Sequence, residues 1–289
     1  MGNVAILIER ARLTLLISLL VGCTSARTPS PGLPIPTPPI SVQPAATSWT
    51  FDYAPGPMQY QISRSAAIES QSGSDSGREI STNGTHELVT LVPAGDSGIS
   101  FSAVVDVFSS TTQGLIGPVQ PVQVPVELSG IFAGNSLTIK TNSTNDRCSP
   151  VSSALLSDLH NLLTHFPARL TQGFTWRDSV TTPGCQAGIP TTSRLLRSYV
   201  VSGEATYEGR PVLLVQRSDT VQAHGDGAQQ QHPVKLDADG TGSAIYYLDT
   251  KDGRVIRLTA NHELTITIIA SNKPHRFKQS SAQDFRLVR

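Results

Sequence analysis

Along most of this chain, apolar and polar positions alternate with a period of two, and short Gly, Ser, Asn and Pro clusters cut the alternation into runs. In the first half the runs are MQYQISRSAAIES (58–70), REISTNGTHELVTLV (78–92), GISFSAVVDVFSS (98–110), VPVELSGIF (124–132) and NSLTIKT (135–141). Side chains of a strand point alternately to its two faces, so each run predicts a strand with one buried face. The last third repeats the pattern. SRLLRSYVVSGEATYEGRPVLLVQRSDTV (193–221) reads as two strands joined at Glu208-Gly209, and HRFKQSSAQDFRLVR (275–289) as a last one. GSAIYYLDTKDGRVIRLTANHELTITII (242–269) reads as two or three strands, with Asp252-Gly253 as a hairpin signal. Between these blocks QAHGDGAQQQHPVKLDADG (222–240) reads as a long polar loop.

One segment keeps a different period. In CSPVSSALLSDLHNLLTHFP (148–167), Val151, Leu155, Leu159, Leu162 and Phe166 recur at helical spacing, with Ser152, Asp158, Asn161 and His165 opposite. Ser149 is a cap, Pro150 suits the first helical position and Pro167 closes the segment. The stripe predicts a helix packed on the concave face of a sheet, its polar side in water. The expected fold is therefore mostly β with one main α-helix: an antiparallel curved sheet or half-barrel with helical cover. Two strand-rich halves, 48–147 and 168–289, would flank helix 149–167.

The start of the chain has another pattern. Leu13–Ala26 is free of charge over 14 residues, about 21 Å as a helix and too short for a bilayer core of about 30 Å. Arg10 and Arg12 precede the apolar core Leu13–Val21, as in a secretory signal. Leu20-Val21-Gly22-Cys23 matches the lipobox of bacterial lipoproteins. That resemblance implies removal of 1–22 and lipidation of Cys23, with the membrane held through the N-terminal lipid anchor. Thr24 is not an acidic retention signal, which implies the outer membrane of a bacterial cell envelope, facing the periplasm or the cell surface. Residues 24–47 hold seven prolines and almost no charge. This composition favours extended polyproline II, a tether of 23–47 before the globular 48–289.

Composition narrows the rest. The formal net charge is zero and basic residues are dispersed among few aromatics, so nucleic acid is not an expected partner. With Cys23 assigned to lipid, Cys148 and Cys185 remain, and an exported domain favours their pairing as a disulfide. GEATYEGRPVLLV and YYLDTKDGRVIRL, read as neighbouring strands with an Asp-Gly turn, resemble the LolA/LolB/LppX-like periplasmic lipoprotein-carrier superfamily when taken with the lipobox and the strand–helix–strand order. The resemblance covers 192–289, and 57–142 more loosely. It implies a half-open barrel that holds lipid or acyl chains. The chain departs from that pattern in having a single clear helix to lid such a barrel.

Catalytic signatures fail on inspection. Gly95-Asp96-Ser97-Gly98 looks like a serine-protease nucleophile loop, yet only His86 precedes it, with no separate aspartate between them, so a β-turn is the better reading. His224, Asp226 and His232 lack zinc-site spacing. Asp237–Gly242 holds too few acids for a calcium loop and reads as a tight turn. His160 and His165 read as exposed, His86, His262 and His275 sit in strand or turn context with no carboxylate partner that sequence can show, and Trp176 reads as core or edge packing. No catalytic residue, metal or cofactor is expected. The sequence points to a non-enzymatic envelope lipoprotein that binds a hydrophobic ligand or partner lipoprotein, or alternatively to a structural or assembly lipoprotein without a ligand cavity that contacts other envelope proteins.

Overall fold

The computed structural model describes residues 48–70, 77–95, 98–113, 124–142, 148–186, 189–229 and 232–288. The expectations for the signal, Cys23 and the tether lie outside these residues, as do Asp96 and Ser97.

The two strand-rich halves form one antiparallel sheet. The N-terminal meander comprises β2 (Gly56–Ser70), β3 (Arg78–Pro93), β4 (Ile99–Gln113), β5 (Val126–Ala133) and β6 (Ser136–Asn142). The C-terminal meander comprises β8 (Thr175–Gln186), β9 (Ile189–Tyr207), β10 (Arg210–Gln229), β11 (His232–Asp249), β12 (Val255–Ala270) and β13 (Lys273–Leu287). The eleven strands follow the order β6-β5-β4-β3-β2-β13-β12-β11-β10-β9-β8. The halves therefore join through β2 and β13, where Phe285 faces Ile62 in register. A short ribbon of β1 (Trp49–Thr50) and β7 (Arg169–Leu170) sets Trp49 and Leu170 against the main core.

The turns follow the residues that prefer them. Glu208 and Gly209 both have positive φ, 49° and 76°, and carry the two-residue connection of β9 to β10. At the β11–β12 turn, Asp249 Oδ1 accepts the Lys251 N–H at 2.8 Å and Asp252 Oδ1 the Arg254 N–H at 3.1 Å. Register shifts at His86/Glu87, Leu214/Val215 and Tyr247/Leu248 mark bulges, which bend strands and add twist. The curl is strong enough that Gln186 at the end of β8 donates to Gln279 of β13 at 2.7 Å, across four intervening strands.

The predicted helix is α1 (Pro150–Leu162), with Ser149 Oγ accepting the Ser152 N–H at 3.4 Å. It lies within the curve, packed against β4, β5 and β8, so it bridges the seam between the edge strands β6 and β8. The predicted disulfide is present: Cys148 joins Cys185, Cα atoms 5.2 Å apart, and ties the start of α1 to the far end of β8.

Four expectations need correction. Much of the polar side of α1 does not face water: Ser152, Asp158 and Asn161 are buried together with the apolar stripe, and Ser157 is exposed. A half-open barrel under a helical cover gives way to a curved sheet with the helix inside it. The polar loop 222–240 is instead the two arms of the β10–β11 hairpin. Its inward positions are Ala223, Gly225 and Gly227 facing Ala238, Leu236 and Val234, and such small residues masked the alternation. Asp237–Gly242 accordingly lies within β11 rather than in a turn. Strand β8 was not expected at all. Its inward row, Trp176, Asp178, Val180 and Thr182, is too mixed to stand out.

Candidate functional site

The last carbonyls of a helix lack partners within it, and burying one unpaired costs about 1–3 kcal/mol. The inner wall of the sheet and the segment before β2 supply those partners for α1. Arg197 Nη1 donates to the His160 carbonyl at 3.2 Å, and the Tyr246 hydroxyl to the Asn161 carbonyl at 3.1 Å. The Tyr53 hydroxyl donates to the Thr164 carbonyl and accepts the Thr164 N–H at 2.7 Å, with the Leu162 carbonyl 3.2 Å away. Cations beside this end also suit the partial negative charge of a helix C-terminus.

Three arginines from three strands converge on the turn Asp158–Asn161. Arg64 of β2 contacts Asp158, lies 3.4 Å from Glu87 of β3 and donates to Thr85 Oγ1 at 2.9 Å. Arg197 of β9 holds both oxygens of Asp178 of β8, at 2.6 and 2.7 Å. Arg217 of β10 donates to Asp219 at 2.9 Å and to Asn161 Oδ1 at 3.0 Å, and Nε2 of His262 lies 3.2 Å from the same Asp219. Every wall arginine thus has a wall carboxylate of its own. The helix adds one further charge, Asp158, which is fully buried like Glu87.

Enclosure sets the electrostatics, since a charge out of water is costly unless paired. Burial pushes Glu87 up to about 7, against the opposing influence of Arg64 and the Thr85 hydroxyl. Its Oε2 has no hydrogen-bond partner. At Asp219 burial works upward but is outweighed by the His262 hydrogen bond and the Arg217 charge, which hold it below the usual carboxylate value. His160 is lowered to about 4 by burial and by the neighbouring Arg197.

Sequence reading missed this cluster, although a signal exists. Met58, Tyr60, Ile62 and Arg64 share one face of β2, and Leu213, Val215, Arg217, Asp219 and Val221 share one face of β10. A charge at an inward position of an alternating run is a buried charge.

Of the histidines singled out from sequence, His160 and His262 belong to this cluster and others lie elsewhere. His86 and Asp106 pair at 2.7 Å on the outer face, and His224 pairs with Asp237 at 2.6 Å on the outside of the β10–β11 hairpin. His262 pairs with Asp219, a partner that sequence could not show, and His160 is half-buried rather than exposed. Trp176 is core packing as read, lying flat on Tyr199 with centroids 4.6 Å apart. Among the described residues no three or more His, Cys, Asp or Glu side chains are grouped to hold a metal ion.

The pocket between the end of α1 and strands β2, β3 and β12, lined by Met58, Tyr60, Val89, Leu162 and Val255, measures about 10 Å³, roughly the room of one water. The larger spaces among the described residues are surface grooves on the outer face around Gly84, about 540 and 510 Å³, lined by Ser63, Ser109 and other short side chains.

No protein-family model matches the chain, and no curated protein matches it. Among solved structures it is similar to OprB of Pseudomonas putida, with TM-score 0.25 and 9% identity over 80% of this chain and 94% of that one. It is similar to an outer membrane channel of Pseudomonas putida F1, with TM-score 0.22 and 10% identity over 86% and 100%. A lipoprotein-sorting protein domain from Vibrio parahaemolyticus gives TM-score 0.17 and 9% identity over 79% and 85%. At these TM-scores the likenesses carry no argument about fold or function.

Proposed function

We propose that this chain is a non-enzymatic, lipid-anchored envelope protein whose β body binds an amphiphile, or the acyl part of a partner lipoprotein, in the space that α1 fills when unliganded. The anchor rests on the lipobox at Leu20–Cys23. The binding role rests on one observation, the manner in which α1 is held. Besides its apolar stripe in the core, α1 is held by hydrogen bonds and one ion pair, Arg64 with Asp158, to a wall whose arginines already have carboxylates of their own, Glu87, Asp178 and Asp219. Removing α1 leaves no arginine without a counter-charge, and an apolar chain can then replace its leucine stripe. Native mass spectrometry of the full chain, extracted from the envelope in mild detergent, tests this. Extra mass that leaves on denaturation and partitions into organic solvent is expected.

The second reading is a structural or assembly lipoprotein without a ligand. The packing of the α1 stripe into the main core favours it. The same experiment separates the two, since a mass equal to polypeptide plus anchor, even after incubation with total envelope lipid, selects the assembly role.

A further inference from the structure

The outer face of the sheet carries an apolar cluster of its own, at the end where the β9–β10 and β11–β12 turns lie. Leu214 and Tyr247 stand opposite each other there, between the inward Leu213, Val215, Tyr246 and Leu248. Val212 pairs with Ala205 one step along, and Tyr207 and Ile256 complete the cluster. The rings of Tyr207 and Tyr247 meet with centroids 5.0 Å apart, and the Arg257 guanidinium lies 5.6 and 5.8 Å from them. Asp284 holds that guanidinium at 2.8 Å, so it is already matched.

An outer sheet face is ordinarily wet, yet Val212 and Tyr247 are 0% exposed and the Tyr247 hydroxyl is buried without a hydrogen-bond partner. The pieces that pack across a sheet face, α1 and the β1–β7 ribbon, belong to the main core on the other side. The cover is therefore sought among residues outside the described ones. Residues 71–76, 187–188 and 230–231 follow Ser70, Gln186 and Gln229, at the opposite ends of their strands, and 114–123 follow Gln113 there. Residues 143–147 lead to Cys148, which is bonded to Cys185 at that same opposite end. Residues 96–97 and 289 are too short to cover five side chains. The chain before Ser48 remains, and it enters at the right end. A Cβ on Gly253, three residues before Ile256, would stand 2.1 Å from the Asp52 carbonyl and 3.4 Å from Cε2 of Phe51.

We propose that the proline-rich segment 32–47 docks on this outer patch, so that the stretch expected to be a free spacer is instead an arm clamped to the body. GLPIPTPPISVQPAAT is uncharged and holds five prolines with Leu33, Ile35, Ile40 and Val42 between them. Such a chain favours polyproline II, whose carbonyls have no partners within it, and polyproline II segments bind aromatic-lined surfaces. Its carbonyls supply the acceptor that the Tyr247 hydroxyl lacks, and its rings and branched side chains cover Tyr207, Tyr247 and Leu214. An extended arm of this length spans about 50 Å, at about 3.1 Å per residue, and so reaches the patch with ease. Clamping it leaves only about 28 Å of chain between Cys23 and Gly32, which would hold the body close to its anchor. That last consequence rests on the lipobox reading; the docking does not.

The test is hydroxyl-radical footprinting of the full chain, extracted from the envelope in mild detergent, with tyrosine oxidation read by peptide mass spectrometry. In wild type, Tyr207 and Tyr247 should be as little oxidised as the core residues Tyr199 and Tyr246. Replacing 32–47 by a Gly-Ser segment of equal length should raise oxidation of Tyr207 and Tyr247 several-fold and leave Tyr199 and Tyr246 unchanged. Outer tyrosines that are reactive in wild type overturn the proposal. Outer tyrosines protected in both proteins also overturn it, and assign the cover to detergent, a second copy or another segment. If the replacement opens Tyr199 and Tyr246 as well, the body itself is disturbed, and a photo-reactive phenylalanine in place of Thr37 decides. Crosslinks within one chain to 207–214 or 247–257 support the docked arm. Crosslinks between chains, to other strands, or none at all overturn it.

Discussion

Arg197 holds Asp178 through both carboxylate oxygens, at 2.6 and 2.7 Å, and still donates to the His160 carbonyl at 3.2 Å. One guanidinium thus joins β8, β9 and the end of α1, with both charged side chains almost fully enclosed. Asp178→Asn leaves the cation without its counter-charge and should cost about 3–5 kcal/mol. The double change Arg197→Met with Asp178→Leu should cost less than the single one, because no charge stays buried. Urea midpoints of the three proteins check the order.

The disulfide closes a loop of sequence separation 37. In the chain-entropy model that loop is worth about 3–4 kcal/mol. Cys148→Ser with Cys185→Ser should lower stability by that amount, and hydrogen exchange should show α1 and β8 losing protection ahead of the β2–β13 centre. Thermal denaturation with and without reductant gives the first number.

Tyr53 closes the end of α1 from outside the main sheet. Tyr53→Phe removes the acceptor of the Thr164 N–H and a donor to the Thr164 carbonyl. A destabilisation of about 1–3 kcal/mol is expected, since both groups stay buried. Burial and the nearby Tyr246 hold the Tyr53 phenol far above its ordinary value, so alkaline titration followed at 295 nm should show one fewer late-ionising tyrosine only in global unfolding, not in the native range.

Gly242 and Gly240 leave space that β12 uses. A methyl at Gly242 would stand 2.3 Å from Cδ2 of His262, and one at Gly240 would stand 2.1 Å from the Glu263 carbonyl. Gly242→Ala must push His262 away from Asp219, and Gly240→Ala must shift backbone. Each should cost about 1–3 kcal/mol, the second more than the first because a side chain yields more easily than a strand. Urea denaturation of both variants checks the ranking.

What the sequence disclosed followed the size of inward-facing residues. Runs such as 58–70 and 78–92, with large apolar side chains on one face, became β2 and β3 nearly residue for residue. The β10–β11 arms escaped because Ala223, Gly225, Gly227 and Ala238 face inward, their cover supplied by neighbours such as Ile189 and Leu264. For the helix, the cap, the first-turn proline and the apolar stripe were all legible. The assumption that its other face meets water held for Ser157 but not for Ser152, Asp158 and Asn161, which turn into the sheet. The site stayed hidden for a related reason: Arg64, Arg217 and Asp219 interrupt apolar rows, and only their even spacing from Ile62, Val215 and Val221 marks them as inward.

The pairing of β2 with β13 has a consequence in time. The two strands come from opposite ends of the body, with Leu287 beside Tyr60, and every other neighbour in the main sheet is consecutive in sequence. A chain made from its amino end can pair the other strands as they emerge, yet β2 and β12 each keep a bare edge until the fifteen residues of β13 arrive. The slowest contact is thus also the final one to become available. The interval before it forms is when the nascent protein is most open to capture by a chaperone, or by another copy of itself.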